Sequence, residues 1–333
     1  MRLFLAIATT VVFASTFDLD RVAPTPLLAA DRVSDLVAQA RKALGGEEKF
    51  AAVKTLSFTG EFRRTMGDRQ MEGTSQLIIA RPDKMRRSEE ISMGGMSGGP
   101  SVERISVLAG DDAWEDVQNL GGGGGGMRFE MRRGPDGPGG PGGPGGPRGP
   151  GGAGGQPPTE EQQHQFRLHR MKTEMLRWTV ALLVDSPQAF VDGGVAESPE
   201  GKADILETQD EGGRSLKLFI DQTTHMPLMI QYEEQRPFMM MMGGPGGRRG
   251  PDAGPQPTRE EMEQRIEERR RNPPKPSTFA LHLDDYKKVD GILLPHKINT
   301  TIDGQPNEEL TIEKYKLNAA VKPAEFEKPK KAQ

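Results

Sequence analysis

The sequence predicts an α+β domain in which many antiparallel strands build a curved sheet with helices laid across it. Two observations point there: short runs of alternating apolar and polar residues recur along the chain, and one long stretch repeats its apolar residues at spacings of three and four. A third observation sets a register. With Asp290-Gly291 as the centre of a two-residue hairpin turn, Leu283 faces Ile298, Leu281 faces Thr300 and Phe279 faces Ile302 on one largely apolar face, while Asp284 meets Lys297 and His282 meets Asn299 on the other. A second turn at Asp303-Gly304 returns the chain through Leu310 to Leu317, completing a three-strand meander.

Taken in order, residues 1–30 read as a secretory signal: Arg2 precedes an apolar run from Leu3 to Ala14 that is too short to span a bilayer, with cleavage expected after Ala30. The mature chain, 31–333, is expected to be one domain. From Asp31, a plausible N-cap, Val33, Leu36, Val37, Ala40 and Leu44 form the stripe of an amphipathic helix that stops at Gly45. Strands follow at Thr55 to Arg64, Gln70 to Ala80, Lys84 to Ile91 and Val102 to Leu108, with a short one around Trp114.

The first insert, 121–158, contains six Gly-Pro-X triplets from Gly134 to Gly151. Collagen has this period, but six triplets are few and nothing nearby suggests a trimer, so a solvated, disordered, polyproline-like segment is expected. Thr159 and Gln162 then form a capping box ahead of a helix whose stripe is Leu168, Met171, Met175, Trp178 and Leu182 and which ends before Pro187. Further strands are read at Ala203 to Glu207, Leu216 to Asp221 and Pro227 to Glu233. The second insert, 236–277, carries Met239 to Met242, a Gly-Pro segment and a charged helix from Thr258 with little to bury.

The 42 Gly and 27 Pro are concentrated in the two inserts, which leaves one domain of patterned sequence. A net charge of -4 with Lys and Arg scattered among acids argues against nucleic acid as a partner. The chain has no Cys, which excludes disulfides and a lipid-modified N-terminal cysteine.

Catalytic signatures are absent. The nearest His pair, His164 and His169, is five residues apart and about 140° round a helix, so the two do not converge on a metal. Asp285 and His296 fall opposite one another in the meander and are read as a cross-strand ion pair at the rim. No enzyme activity and no cofactor or metal are expected. The four consecutive Met residues are compatible with Cu(I), whose preference is for soft thioethers, but without His or Cys beside them an adaptable apolar contact surface is the better reading.

Many strands with one long apolar helix imply a strongly curved sheet, and such sheets commonly enclose a cavity. Candidate lining residues are Phe58, Phe62, Leu77, Ile79, Met171, Met175, Trp178, Leu182, Leu218, Ile230, Phe279 and Leu281. A helix stripe of this kind also serves simply as core.

The segments Ala40 to Phe62, Leu216 to Tyr232, Asp284 to Ile298 and Leu310 to Pro329 resemble the periplasmic lipoprotein-carrier family, the LolA/LolB-like lipoprotein-sorting proteins. The resemblance implies an unclosed half-barrel capped by helices, whose concave apolar face receives lipid or lipoprotein acyl chains in the periplasm. It also implies a monomer that meets envelope membrane proteins transiently, and an arginine that holds the lid, for which Arg63 and Arg64 are candidates. Two features depart from the family: His225 stands before Pro227 where a small turn residue is expected, and the two inserts have no counterpart. Pro295 inside a paired strand requires a bulge. Different expectations attach to a solidly packed envelope scaffold that makes its contacts through the inserts.

Overall fold

The computed structural model describes residues 26–67, 69–92, 101–120, 159–184, 189–198, 201–235, 264, 267–268, 271–272 and 275–329. The Gly-Pro triplets, Met239 to Met242, most of the charged helix from Thr258 and most of the signal segment lie outside these residues. Helices α1 (Pro26–Leu44) and α2 (Glu47–Ala52) lead into strands β1 (Thr55–Met66), β2 (Arg69–Ala80), β3 (Lys84–Ser92), β4 (Ser101–Ala109) and β5 (Asp112–Asn119). After helix α3 (Glu160–Ala181) come β6 (Val191–Ser198), β7 (Gly201–Gln209), β8 (Ser215–Asp221), β9 (Pro227–Glu234), β10 (Ser277–Val289), β11 (Ile292–Ile302) and β12 (Gln305–Leu317).

All twelve strands form one antiparallel sheet in the order β5-β4-β3-β2-β1-β12-β11-β10-β9-β8-β7-β6. The sheet is two meanders joined in its middle, because the first strand pairs with the last: Leu56 lies opposite Leu317, Phe58 opposite Tyr315 and Phe62 opposite Leu310. The free edges are β5 and β6, which the chain visits one after the other. Helix α3 lies within the connection between them and packs against the concave side of the sheet. The fold is an unclosed half-barrel capped by helices.

The meander has the register its turns dictate, with Leu283 opposite Ile298, Leu281 opposite Thr300 and Phe279 opposite Ile302. Asp290 (φ 48°) and Gly291 (φ 85°) both adopt the left-handed conformation that a tight hairpin of matching twist needs. The register is unchanged on either side of Asp285 and His296, from Asp284–Lys297 to Tyr286–Pro295, so Pro295 is accommodated without the expected bulge, and Asp285 there has a left-handed φ of 54°. The expected Asp285–His296 ion pair does not form, although the register sets the two residues opposite each other. Asp285 instead meets Lys287 Nζ at 2.6 Å, and the buried His296 donates from Nδ1 to Leu294 O at 3.1 Å, edge-on to Tyr315.

Three other differences from the sequence reading have simple causes. Helix α1 begins at Pro26, so Asp31 lies inside the helix and is not its N-cap; proline suits a first turn because its missing N–H has no helical partner there. A chain cleaved after Ala30 would start within this helix. Strand β6, VDGGVAES, was not anticipated: it pairs only with β7, and its register shifts between Asp192 and Gly194, so alternation is weak. Arg32 of α1 holds it through Asp192 at 2.6 Å. Helix α2 is a single short segment whose anchor is the buried Phe50.

The main core fills the concave side, between the sheet and helices α1 and α3. A smaller one lies on the convex side, where the chain after β12 folds back and buries Phe326 against Ile78, Ile105, Val107 and Trp114. Trp114 Nε1 donates to Phe326 O at 3.2 Å. Replacing Phe326 by Ala should therefore destabilise the protein by about 3 kcal/mol, as large-to-small changes at buried aromatics do. The Trp114 emission should shift to the red, and an unchanged melting temperature would show that the strap carries no stability.

Candidate functional site

The inner face of the half-barrel is set by alternation. On β1, Leu56, Phe58, Phe62 and Arg64 point inward; the residues opposite them on β2 include Ile79 and Leu77, and on β3 the inward row is Met85, Arg87, Glu89 and Ile91. Toward the other edge the row Leu281, Ile230, Leu218 and Leu206 continues the apolar lining. One contiguous core unites ten of the expected lining residues, from Phe58 and Leu77 on the sheet to Met171, Met175, Trp178 and Leu182 on the helical side, with Leu281 packed against it. Phe279 lies beside that core, its ring stacked on Tyr232 at 5.3 Å between centroids and parallel within 1°.

These side chains fill the concavity. Phe58 meets Trp178 of α3 at 5.2 Å and Tyr315 at 5.8 Å, and Met171 is 1% exposed. Along the flank of α3, between Thr173, Arg177, Asp210, Arg214 and Tyr232, a cavity of about 10 Å³ has room for roughly one water. A larger open trough of about 260 Å³ over β1, β2 and β12 is lined mainly by polar groups, among them Glu61, Arg63, Glu72 and Glu309. Neither holds an acyl chain as it stands.

Helix α3 starts with the capping box: Gln162 N donates to Thr159 Oγ1 at 3.2 Å, and Thr159 N donates to Gln162 Oε1 at 2.9 Å. Ion pairs fasten both its flanks. On the side of β3 to β5, Glu174 accepts from Arg87 at 2.7 Å, Arg170 meets Glu115, and His164 Nε2 lies 2.9 Å from Asp112. On the side of β7 to β9, Thr173 Oγ1 donates to Asp210 Oδ2 at 2.9 Å, Arg214 Nη2 lies 2.9 Å from His169 Nε2, and Arg177 pairs with Glu234 at 2.9 Å. Arg177 also covers the Tyr232 ring at 3.7 Å. Lys172 reaches Asp111 and Glu211 together, so α3 bridges the turn after β4 to the turn after β7.

Arg87 is the centre of a network that sequence reasoning overlooked. Its guanidinium bonds Glu174 of the helix and, at 2.6 Å, Glu89; Arg64 bonds Glu89 at 3.0 Å and Glu308 at 2.5 Å. Of the two candidate lid arginines, Arg64 belongs to this network without touching α3, while Arg63 lies on the outer face against Glu72. Burial disfavours charge on Arg87, but Glu89 and Glu174 outweigh it and raise its pKa. Burial likewise opposes ionisation of Glu89, and the guanidiniums of Arg87 and Arg64 overcome it, holding the carboxyl below the usual range. Asp210 is also depressed: desolvation is outweighed by the backbone N–H and side chain of Arg214 and by Thr173.

Among the described residues no group of three or more His, Asp or Glu could hold a metal ion, and no helix is long and apolar enough to cross a membrane. The Met run lies outside the described residues, as does the surface it was expected to form.

Glu89 and Asp210 both have lowered native pKa values, so their contribution is complete above the unfolded range near pH 4 and is lost as pH falls through the native values. Helix α3 should stay seated from neutrality to about pH 5 and loosen below about pH 4. Trp178 emission in a Trp114→Phe background measures this. Loosening centred near pH 6 would contradict the carboxylate assignment and point to a histidine.

No family model and no curated protein matches the sequence. Among solved structures, the chain is similar to a putative outer membrane lipoprotein-sorting protein domain from Vibrio parahaemolyticus, at 12% identity and a TM-score of 0.41, over 89% of this chain and 97% of that one. A DUF1329 family protein from Desulfovibrio piger matches at 9% identity and a TM-score of 0.41, covering 90% and 97% of the two chains. A LolA superfamily protein from Nitrosomonas europaea matches at 9% identity and a TM-score of 0.43, covering 90% and 98%.

Proposed function

We propose that the protein is a periplasmic carrier that shelters lipid or lipoprotein acyl chains on the concave face of its half-barrel, without catalysis, and that the structure is its closed state. The observation behind this reading is the construction of α3. It covers a continuous apolar surface with its own apolar stripe, yet the bonds on its flanks are ion pairs and hydrogen bonds at the rim. Lifting the helix uncovers Phe58, Phe62, Leu77, Ile79, Leu218, Ile230 and Leu281, and an acyl chain laid there replaces one apolar filling by another.

The exchange is energetically reasonable. A sheltered chain gains about 0.8 kcal/mol per methylene, so about ten carbons give roughly 8 kcal/mol toward the cost of displacing the helix. Met171 and Met175 on the helix suit a surface that repacks, being unbranched and polarisable. Phe279 and Tyr232 would flank the entrance, beside Arg177.

Protein made in its native compartment should carry co-purifying acyl lipids that solvent extraction and mass spectrometry identify. The delipidated protein should bind acyl chains saturably, with a change in Trp178 emission, and removing 121–158 and 236–275 should leave this binding intact. Loss of all acyl binding on removing the inserts would transfer function to them, and absence of binding in the full chain would end the carrier reading.

A further inference from the structure

We propose that, once α3 lifts, Arg87 and Arg64 on the inner face take the anionic head group of the acyl ligand, a carboxylate or a phosphate. This inference rests on the carrier reading and names the class of ligand within it. The apolar lining accounts for a hydrocarbon tail. It does not account for the guanidiniums of Arg87 and Arg64 on the same face, between Leu77 and Met71 in the sheet.

The closed state shows how those charges are balanced and which part of the balance can leave. Arg64, Arg87 and the nearby Arg104 face three carboxylates, those of Glu89, Glu174 and Glu308. Glu89 and Glu308 sit on the sheet and remain when the helix moves. Glu174 belongs to α3 and departs with it, as does Arg170 from Glu115 on β5, so the open sheet keeps Arg64, Arg87 and Arg104 with Glu89, Glu308 and Glu115, and Arg87 is the cation that loses a bonded carboxylate. Arg87 then has a free N–H group at Nη1, where Glu174 bonded it.

Two further polar atoms on this face lack partners even in the closed state. Arg87 Nε has no acceptor, and Ser75 Oγ, in a residue only 3% exposed, has neither donor nor acceptor. Ser75 lies opposite Glu89 in the β2–β3 register, one inward position from Leu77, which itself faces Arg87. Buried polar groups are rarely left unpaired, and a planar anion offers acceptors for a guanidinium fork and a hydroxyl alike. A neutral ester would leave Arg87 with Glu89 alone and its Nη1 unpaired, whereas a carboxylate or phosphate takes the place that Glu174 vacates. The tail then runs from Arg87 over Leu77 and Phe58, where Trp178 sat.

Titrating the delipidated full chain with oleate, methyl oleate and inorganic phosphate alone tests the assignment, read by Trp178 emission. At neutral pH and low salt, oleate should bind at least about ten-fold more tightly than methyl oleate, the increment of a charge-assisted hydrogen-bonded pair. In Arg87→Gln that ratio should fall to about one, whatever happens to the absolute affinities as the latch is weakened. Should that variant fold poorly, the wild-type ratio itself serves, because raising salt from about 20 to 500 mM should shrink it. Phosphate alone should not displace oleate; displacement would assign the arginines to free anions and overturn the head-group role. Equal binding of oleate and methyl oleate to the wild type would overturn the head-group assignment and leave the carrier reading standing, while binding of neither would overturn both.

Discussion

The pairing of β1 with β12 governs the rest of the architecture. By placing the first and last strands side by side in the middle of the sheet, it sends the sequence's middle to the two free edges, β5 and β6. Of the segment that joins those edges, helix α3 packs over the hollow side. Connectivity places this helix between the two edges, and its amphipathic stripe follows from having a greasy surface on one side and solvent on the other.

The helix is held by two kinds of interaction with different character. Its stripe contributes non-directional burial, which tolerates substitution by any apolar filling of similar volume. Its flanks contribute paired charges whose desolvation cost largely cancels their attraction, so they add little net stability but fix where the helix sits. A cover built in this way is well placed and exchangeable. Removing one member of the Arg87 network would be more disruptive than the network's net worth suggests, because it strands a buried partner.

Much of this was legible in the sequence. The meander register, both of its tight turns and the capping box of α3 followed from Asp290-Gly291, Asp303-Gly304 and Thr159–Gln162, where local chemistry admits few alternatives. Alternation and helical spacing also picked out ten residues of the concave core, with Leu281 packed against it. Less legible was β6, since an edge strand carrying two glycines shows neither clean alternation nor strong propensity, and the helix start at Pro26, which lay inside the segment read as a signal. Arg87 and Glu89 could have been found: Met85 and Ile91 fix the inward face of β3, and strict alternation then forces both charges inward between them. Pairing across the sheet, which makes them a network, required the three-dimensional arrangement of β1, β3 and β12.

The return of the chain along the convex side has a practical consequence. With Phe326 seated behind β2 to β5, and Lys84 and Arg86 against Phe326 and Glu325, the tail is pinned to the surface opposite the covering helix. A surface tether or reporter joined beyond Pro329 would leave the molecule oriented with its helical side outward. The same pinning gives the β2–β5 half of the sheet apolar backing on both sides, so it forms the stiffer jaw against which the helix would hinge.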